Sequence, residues 1–162
     1  MRDEVAPRVY VETTVWNFVF AQDAPEHRDA TQRFFDQVRA GGFEVYVAKV
    51  VLDEVAAAPA PRRSELAQLI SEIAPAVLES SAEAETLAAE LVALGMVPPK
   101  YANDALHIAI AVVENMDLLV SWNFRHIVRV KTRRVVGAAA RLGGYRELEI
   151  CTPEEVIDET GE

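Results

Sequence analysis

Residues 103–127 read NDALHIAIAVVENMDLLVSWNFRHI, and this stretch decides the fold. A helix is expected over 103–116. It is apolar almost all round after Asp104, and a helix of that kind is buried. A short apolar strand follows at 117–121, without the polar alternation of a half-solvated strand. Buried helix and buried strand in succession point to a parallel sheet between helical layers. Asp104 stands at the edge of this apolar block. A carboxylate beside so much apolar surface is costly unless it is paired, hydrogen-bonded or holding a metal. Asn123 lies just past the strand exit.

Outward from this stretch the alternation continues. A strand is expected at 8–11, ending at Glu12, then a turn and short helix in the TTVWN run. Asp23 before Pro25 and Glu26 signals a helix start for 25–40, with Asp23 as its cap. Gly41 and Gly42 stop that helix. A second strand follows at 43–47 and a short helix at 50–57, ended by Pro59 and Pro61. Leu66, Leu69, Ile70 and Ile73 make an amphipathic helix of 62–73. A brief strand is expected at 76–79, and a helix at 81–94, capped by Ser81 and stopped by Gly95. Beyond the central stretch come a basic helix at 132–142 and a last strand at 148–151. Thr152, Pro153 and Glu155 then spell cap, first helical residue and capping-box acid. The whole predicts a three-layer α/β sandwich around a central, mainly parallel sheet. No repeat or linker divides the 162 residues, so one domain over 1–162 is expected.

Hydrophobic residues make up 51% of the chain, enough for a real core. The lone Cys151 excludes a disulfide framework and a cysteine zinc site, and fits a reducing compartment. The opening MRDEVAPRVYVE is charged where a signal sequence is apolar. No apolar run approaches the roughly 18 to 20 residues of a membrane span. A cytoplasmic protein without a membrane partner is the expectation. The net charge of −10 argues at first against nucleic acid, but its distribution does not. Between Asn123 and Arg146 lie seven basic residues (Arg125, Arg129, Lys131, Arg133, Arg134, Arg141 and Arg146) and no acidic one. A polyanion such as RNA responds to that local patch; a solvated face or an acidic partner would fit it too.

In open parallel sheets, sites form beyond the carboxyl ends of the strands. Glu12 and Asn123 end two strands, Glu54 sits in the helix entered from the second strand, and Asp104 opens the buried helix. All four reach one edge of the sheet. The chain has no nucleophile elbow, no GxxxxGK loop and no GxGxxG, and its cysteine comes late. Three carboxylates and an amide suit Mg²⁺ or Mn²⁺, hard ions that take oxygen ligands. Asp53 competes with Glu54, but adjacent helical positions point about 100° apart, so one of them faces the site. His107, a turn beyond Asp104, reads as a structural histidine. His126, in the basic segment, is a candidate for touching phosphate. Trp122 and Phe124 flank Asn123, with core packing and base stacking both open to them.

With VYVETTVWN, VVLDEV, NDALHIAIA, LLVSWNFRHI and the closing CTPEEVI in order, the chain resembles PIN-domain ribonucleases, above all the small toxins related to VapC. The resemblance implies a site of Glu12, Glu54, Asp104 and Asn123, the first three being metal ligands. It implies Mg²⁺ or Mn²⁺ hydrolysing single-stranded RNA to leave a 5′-phosphate. Thr13 takes the place of the hydroxyl that often follows the first acid, bonding near Glu12. Arg125, Arg129, Lys131, Arg133 and Arg134 would guide the RNA. An antitoxin protein and a homodimer are further implied partners. Two positions depart from the pattern. Glu12 stands where the family commonly has Asp, and is longer by one C–C bond of about 1.5 Å. Asn123 brings no charge to the fourth position, so a second divalent ion should bind more weakly. These departures also fit a catalytically degenerate PIN domain that binds RNA or protein without cutting. A third alternative is an interaction module docking a partner through the helices at 62–73 and 81–94.

Overall fold

Val9, Tyr10 and Val11 are fully buried because the first strand, β1 (Arg8–Val11), is the middle strand of the sheet. The computed structural model describes residues 5–160; the charged residues at the very start of the MRDEV stretch lie outside it. The chain runs from β1 through helices α1 (Thr13–Phe18) and α2 (Pro25–Arg39) into β2 (Glu44–Ala48). It continues through α3 (Lys49–Ala56) and α4 (Arg62–Ile73) to β3 (Ala76–Leu78) at one edge. Helices α5 (Ala82–Ala93) and α6 (Ala102–Val113) then carry it back across the sheet to β4 (Leu118–Val120), on the other side of β1. Helix α7 (Val130–Gly143), β5 (Glu149–Cys151) and α8 (Pro153–Thr160) complete the fold.

The strand order is β3-β2-β1-β4-β5, and every pairing is parallel. Helices α1, α2 and α4 pack together, with α8 against α2, while α5 packs on α6 and α7. Right-handed crossovers set these two groups on opposite faces, so the protein is a three-layer α/β sandwich. The direction of building reverses between β1 and β4, and a crevice opens there beyond the carboxyl ends of the two strands. Glu12 donates its backbone N–H to Val120 O at 3.1 Å and so continues the β1–β4 pairing into that crevice.

Local chemistry moved several boundaries. Helix α6 stops at Val113, short of 116, because Asn115 turns into the left-handed region (φ 59°) and Met116 N–H returns to Ala111 O. Asp23 does not cap α2: Ala24 holds that position and Pro25 opens the helix. The Pro98-Pro99 pair starts a 3₁₀ turn, Pro99–Tyr101, that runs straight into α6 and has no counterpart in the sequence reading. Helix α7 starts at Val130, two residues early, with extended Arg129 as its cap. The capping box of α8 forms in both directions: Glu155 N–H donates to Thr152 Oγ1, and Thr152 N–H to Glu155 Oε1. No described helix is long and apolar enough to cross a membrane.

Candidate active site

Glu12 leaves β1 into the crevice almost completely buried, at 3% exposure. Its Oε1 accepts two hydroxyls, Thr14 Oγ1 and Ser121 Oγ, each at 2.6 Å. Burial drives this carboxyl above its ordinary value; the charge of His107 and the two hydroxyls only partly oppose that. Glu54 comes from α3, which follows β2 directly. It accepts the Thr13 hydroxyl, His107 Nε2 at 3.1 Å and Asn103 Nδ2 at 3.4 Å. Burial would raise Glu54, but these bonds, His107 first, hold it below the ordinary range. Its neighbour Asp53 points away, in an exposed pair with Lys49 at 2.9 Å.

His107 lies fully inside, on the turn of α6 after Asp104. Its Nδ1 meets the Tyr10 hydroxyl at 2.7 Å, and its Nε2 meets Glu54. Burial disfavours the imidazolium, yet the Glu54 hydrogen bond and the charges of Glu12, Glu54 and Asp104 outweigh it and raise the pKa. Both ring nitrogens are thus engaged, and burial and the two glutamates hold Tyr10 well above its ordinary value. Asp104 shares no hydrogen bond with this group among the described residues, although its charge bears on His107. Its Oδ2 pairs with His126 Nδ1 at 2.8 Å, and both side chains are largely buried.

Glu12, Glu54 and His107 offer ligand atoms within 4.8 Å of one another. Both ring nitrogens of His107 are already bonded, so the two carboxylates are the donors open to an ion. A pair of carboxylates fits Mg²⁺ or Mn²⁺, which use one or two and keep several waters. The fit with such an ion is good.

Asn123, the uncharged fourth position, has its carbonyl engaged within its own loop. Its Oδ1 accepts the His126 N–H at 2.9 Å and its backbone oxygen accepts Ile127 and Val128, so it organises a tight turn. Beside Asp104 a cleft of about 500 Å³ is lined by Arg125, His126, Arg129, Lys131 and the loop 95–99. Arg129 is tied down there, to Thr132 Oγ1 at 3.0 Å and to Met96 O. Arg133 reaches Ile150 O on β5 and, with Arg134, lines another cleft beside Glu147. The structure thus gathers Arg125, Arg129 and Lys131 beside Asp104 and leaves Arg133 and Arg134 elsewhere.

The model of the PIN domain family matches residues 9–132, a span from β1 into α7 that contains all four site positions. The chain belongs to the PIN domain family. Members of that family are typically nucleases. Among solved structures, a chain of the VapBC2 complex from Rickettsia felis, crystallised with a DNA fragment from their promoter, shares the fold. The match covers 88% of this chain and 96% of that one, with a TM-score of 0.56 and 17% identity. No curated protein matches the sequence significantly.

Several residues around Glu12 and Glu54 were unread in the sequence or had another role there. The two threonines after Glu12 divide their work: Thr13 bonds Glu54, and it is Thr14 that bonds Glu12. Which of two adjacent hydroxyls turns inward depends on the first turn of α1, which the residue types do not reveal. Tyr10 precedes Glu12 by two positions on β1, hence shares its face, and that spacing was a usable signal. His107 is three residues from Asp104, hence on its side of α6. Ser121 follows β4 directly, opposite the end of β1.

Proposed function

We propose that this PIN domain, a single unit spanning the chain, is a metal-dependent endoribonuclease. It hydrolyses phosphodiester bonds of single-stranded RNA with Mg²⁺ or Mn²⁺. The observation that carries the reading is the convergence of Glu12 and Glu54 at the β1–β4 crevice, with Asp104 one turn of α6 from His107, which bonds Glu54 and lies within 4.8 Å of Glu12. Glu12, Glu54 and Asp104 would hold the ion, which when bound acidifies water and offsets charge on the phosphoryl oxygens. His126 orients the Asp104 carboxylate, and the Thr14 and Ser121 hydroxyls orient that of Glu12. His107 balances part of the negative charge of the three acids. Asn123 offers its amide nitrogen to a phosphate oxygen, since its carbonyl is taken by the turn. Thr13 positions Glu54, and Arg125, Arg129 and Lys131 draw the RNA backbone to the cleft, with Arg133 and Arg134 adding to the field.

The protein works in the cytoplasm as a homodimer and as the toxin of a toxin–antitoxin pair; the VapBC2 likeness supports the last point. The test is cleavage of a mixed-sequence single-stranded RNA in Mn²⁺ or Mg²⁺, beside EDTA and Asp104→Ala. Cleavage should disappear in EDTA and fall by at least about 100-fold in the variant, the scale of losing a group that stabilises transition-state charge. Equal cleavage by Asp104→Ala overturns the reading. A second reading, RNA binding without cutting, is favoured by the engaged carbonyl of Asn123. It predicts salt-sensitive binding that persists in EDTA with no cleavage in any metal.

A further inference from the structure

Four aromatic rings gather next to the carboxylates, and nothing in the hydrolytic reading uses them. Trp122 is their floor. It is buried, and its Nε1–H donates to Thr31 Oγ1 at 2.8 Å. His27 from α2 stacks on it, centroids 4.1 Å apart and planes inclined by 18°. Phe18 closes one side, 5.9 Å from Trp122 and 5.7 Å from His27. Phe124 rises on the other, 6.0 Å from His27 and 6.1 Å from Trp122, with 51% of its surface in solvent.

A single exposed Phe carries no message. This one is joined to the site at both ends of its segment. On one side Trp122 N–H donates to Thr14 Oγ1 at 2.9 Å, and that hydroxyl donates to Glu12. On the other side His126 holds Asp104. The next residue, Arg125, sets its guanidinium over the Tyr101 ring at 5.5 Å, and Lys100 lies over the same ring at 5.6 Å. Both cations are exposed, and among the described residues neither has a carboxylate partner. The turn after β4 therefore offers an exposed aromatic ring, and its Arg125 shares the Tyr101 ring with Lys100 from the 3₁₀ turn Pro99–Tyr101.

We infer that Phe124, backed by His27 and Trp122, is a stacking platform for one unpaired base of the RNA, while Arg125 and Lys100 hold a backbone phosphate. The inference rests on the nuclease reading and names how that site selects its substrate. Every base has a π-face, so such a platform tolerates any sequence but needs a base released from its own stack; a duplex does not supply one. It also answers the charge of this chain. With a net charge of −10, long-range attraction for RNA is weak, and stacking contributes affinity that does not depend on charge.

The test is fluorescence anisotropy of a labelled single-stranded RNA in Ca²⁺, which allows binding to be followed apart from cleavage. Wild type is compared with Phe124→Ala, Phe124→Leu and Phe124→Trp, and the RNA is also made with a single abasic nucleotide walked along it. Alanine and leucine should weaken binding by about 5- to 150-fold, the range for one stacked base, without changing the salt dependence. Tryptophan should retain binding. One abasic position should abolish the difference between wild type and Phe124→Ala. If wild type binds and the alanine and leucine variants bind equally well, the platform is overturned and the nuclease reading stands. If wild type binds no single-stranded RNA, both fall. Unchanged RNA binding by Phe124→Ala, with loss of a dimer in light scattering, would make the rings a protein interface and overturn the proposal.

Discussion

Glu12 is a carboxylate held out of water between β1 and β4, with two hydroxyls on one oxygen and its pKa raised by burial. Between its ordinary value of 4.5 and the native one, the folded protein keeps a proton that the unfolded chain has released. Stability from this group is therefore complete below the ordinary value and is lost as pH rises through the native one. Glu12→Gln keeps an oxygen for both hydroxyls and removes the charge. At neutral pH it should stabilise the metal-free protein by about 1 kcal/mol, a Tm gain of roughly 2–4 °C. That gain should vanish below the ordinary carboxylate range, and RNA cleavage should be lost. Thermal melts of both proteins across pH check it; an equal gain at acid pH would mean packing, not charge, is responsible. The acids themselves were legible in the sequence because strand ends and the start of α6 have fixed places. Their hydrogen bonds were not, because a rotamer choice decides whether Thr13 or Thr14 reaches Glu12.

Between elements, Thr31 ties α2 to the exit of β4 by a hydrogen bond beneath the His27–Trp122 stack. Thr31 is fully buried, donates to His27 O at 2.6 Å and accepts Trp122 Nε1–H. Thr31→Val has nearly the same shape and leaves that indole N–H stranded. The expected loss is about 1–3 kcal/mol, seen as a lower urea midpoint with an unchanged m-value. An unaltered midpoint would mean that the indole finds another acceptor. Periodicity located α4 well, because apolar spacing reports burial directly, and start and stop residues located α2 and α5. Ends were harder: Asn115 ended α6 through a backbone conformation, and the Pro98-Pro99 pair made a helical turn where prolines commonly read as a break. The turn after Asn123 has no signal of its own, since an Asn that serves a site and an Asn that caps a turn look the same in a sequence.

Over the whole molecule, alternating apolar runs identified the parallel sandwich, and the acidic balance hid a basic segment. The structure divides that segment. Arg129 and Arg133 bond backbone carbonyls of their own protein, and Arg125 stands over Tyr101 beside the site. Arg125 should then carry more of the RNA contact than Arg133. Each phosphate neutralised on a single strand contributes about 0.7 to the slope of log affinity against log salt. Arg125→Ala should flatten that slope by about 0.7 in a salt titration; a slope unchanged by it and reduced by Arg133→Ala would invert the assignment.

The placement of β1 beside β4 has a consequence in time. Ser121 bonds Glu12 across 109 residues of chain, so the first acid is synthesised long before the strand that completes its surroundings. At about 5–20 residues per second that interval is roughly 5–22 s. Until β4 has emerged, the crevice has only one wall. The first acid therefore waits in an open, unfinished crevice, and whatever chemistry the site performs can begin only after β4 has been made and has docked beside β1.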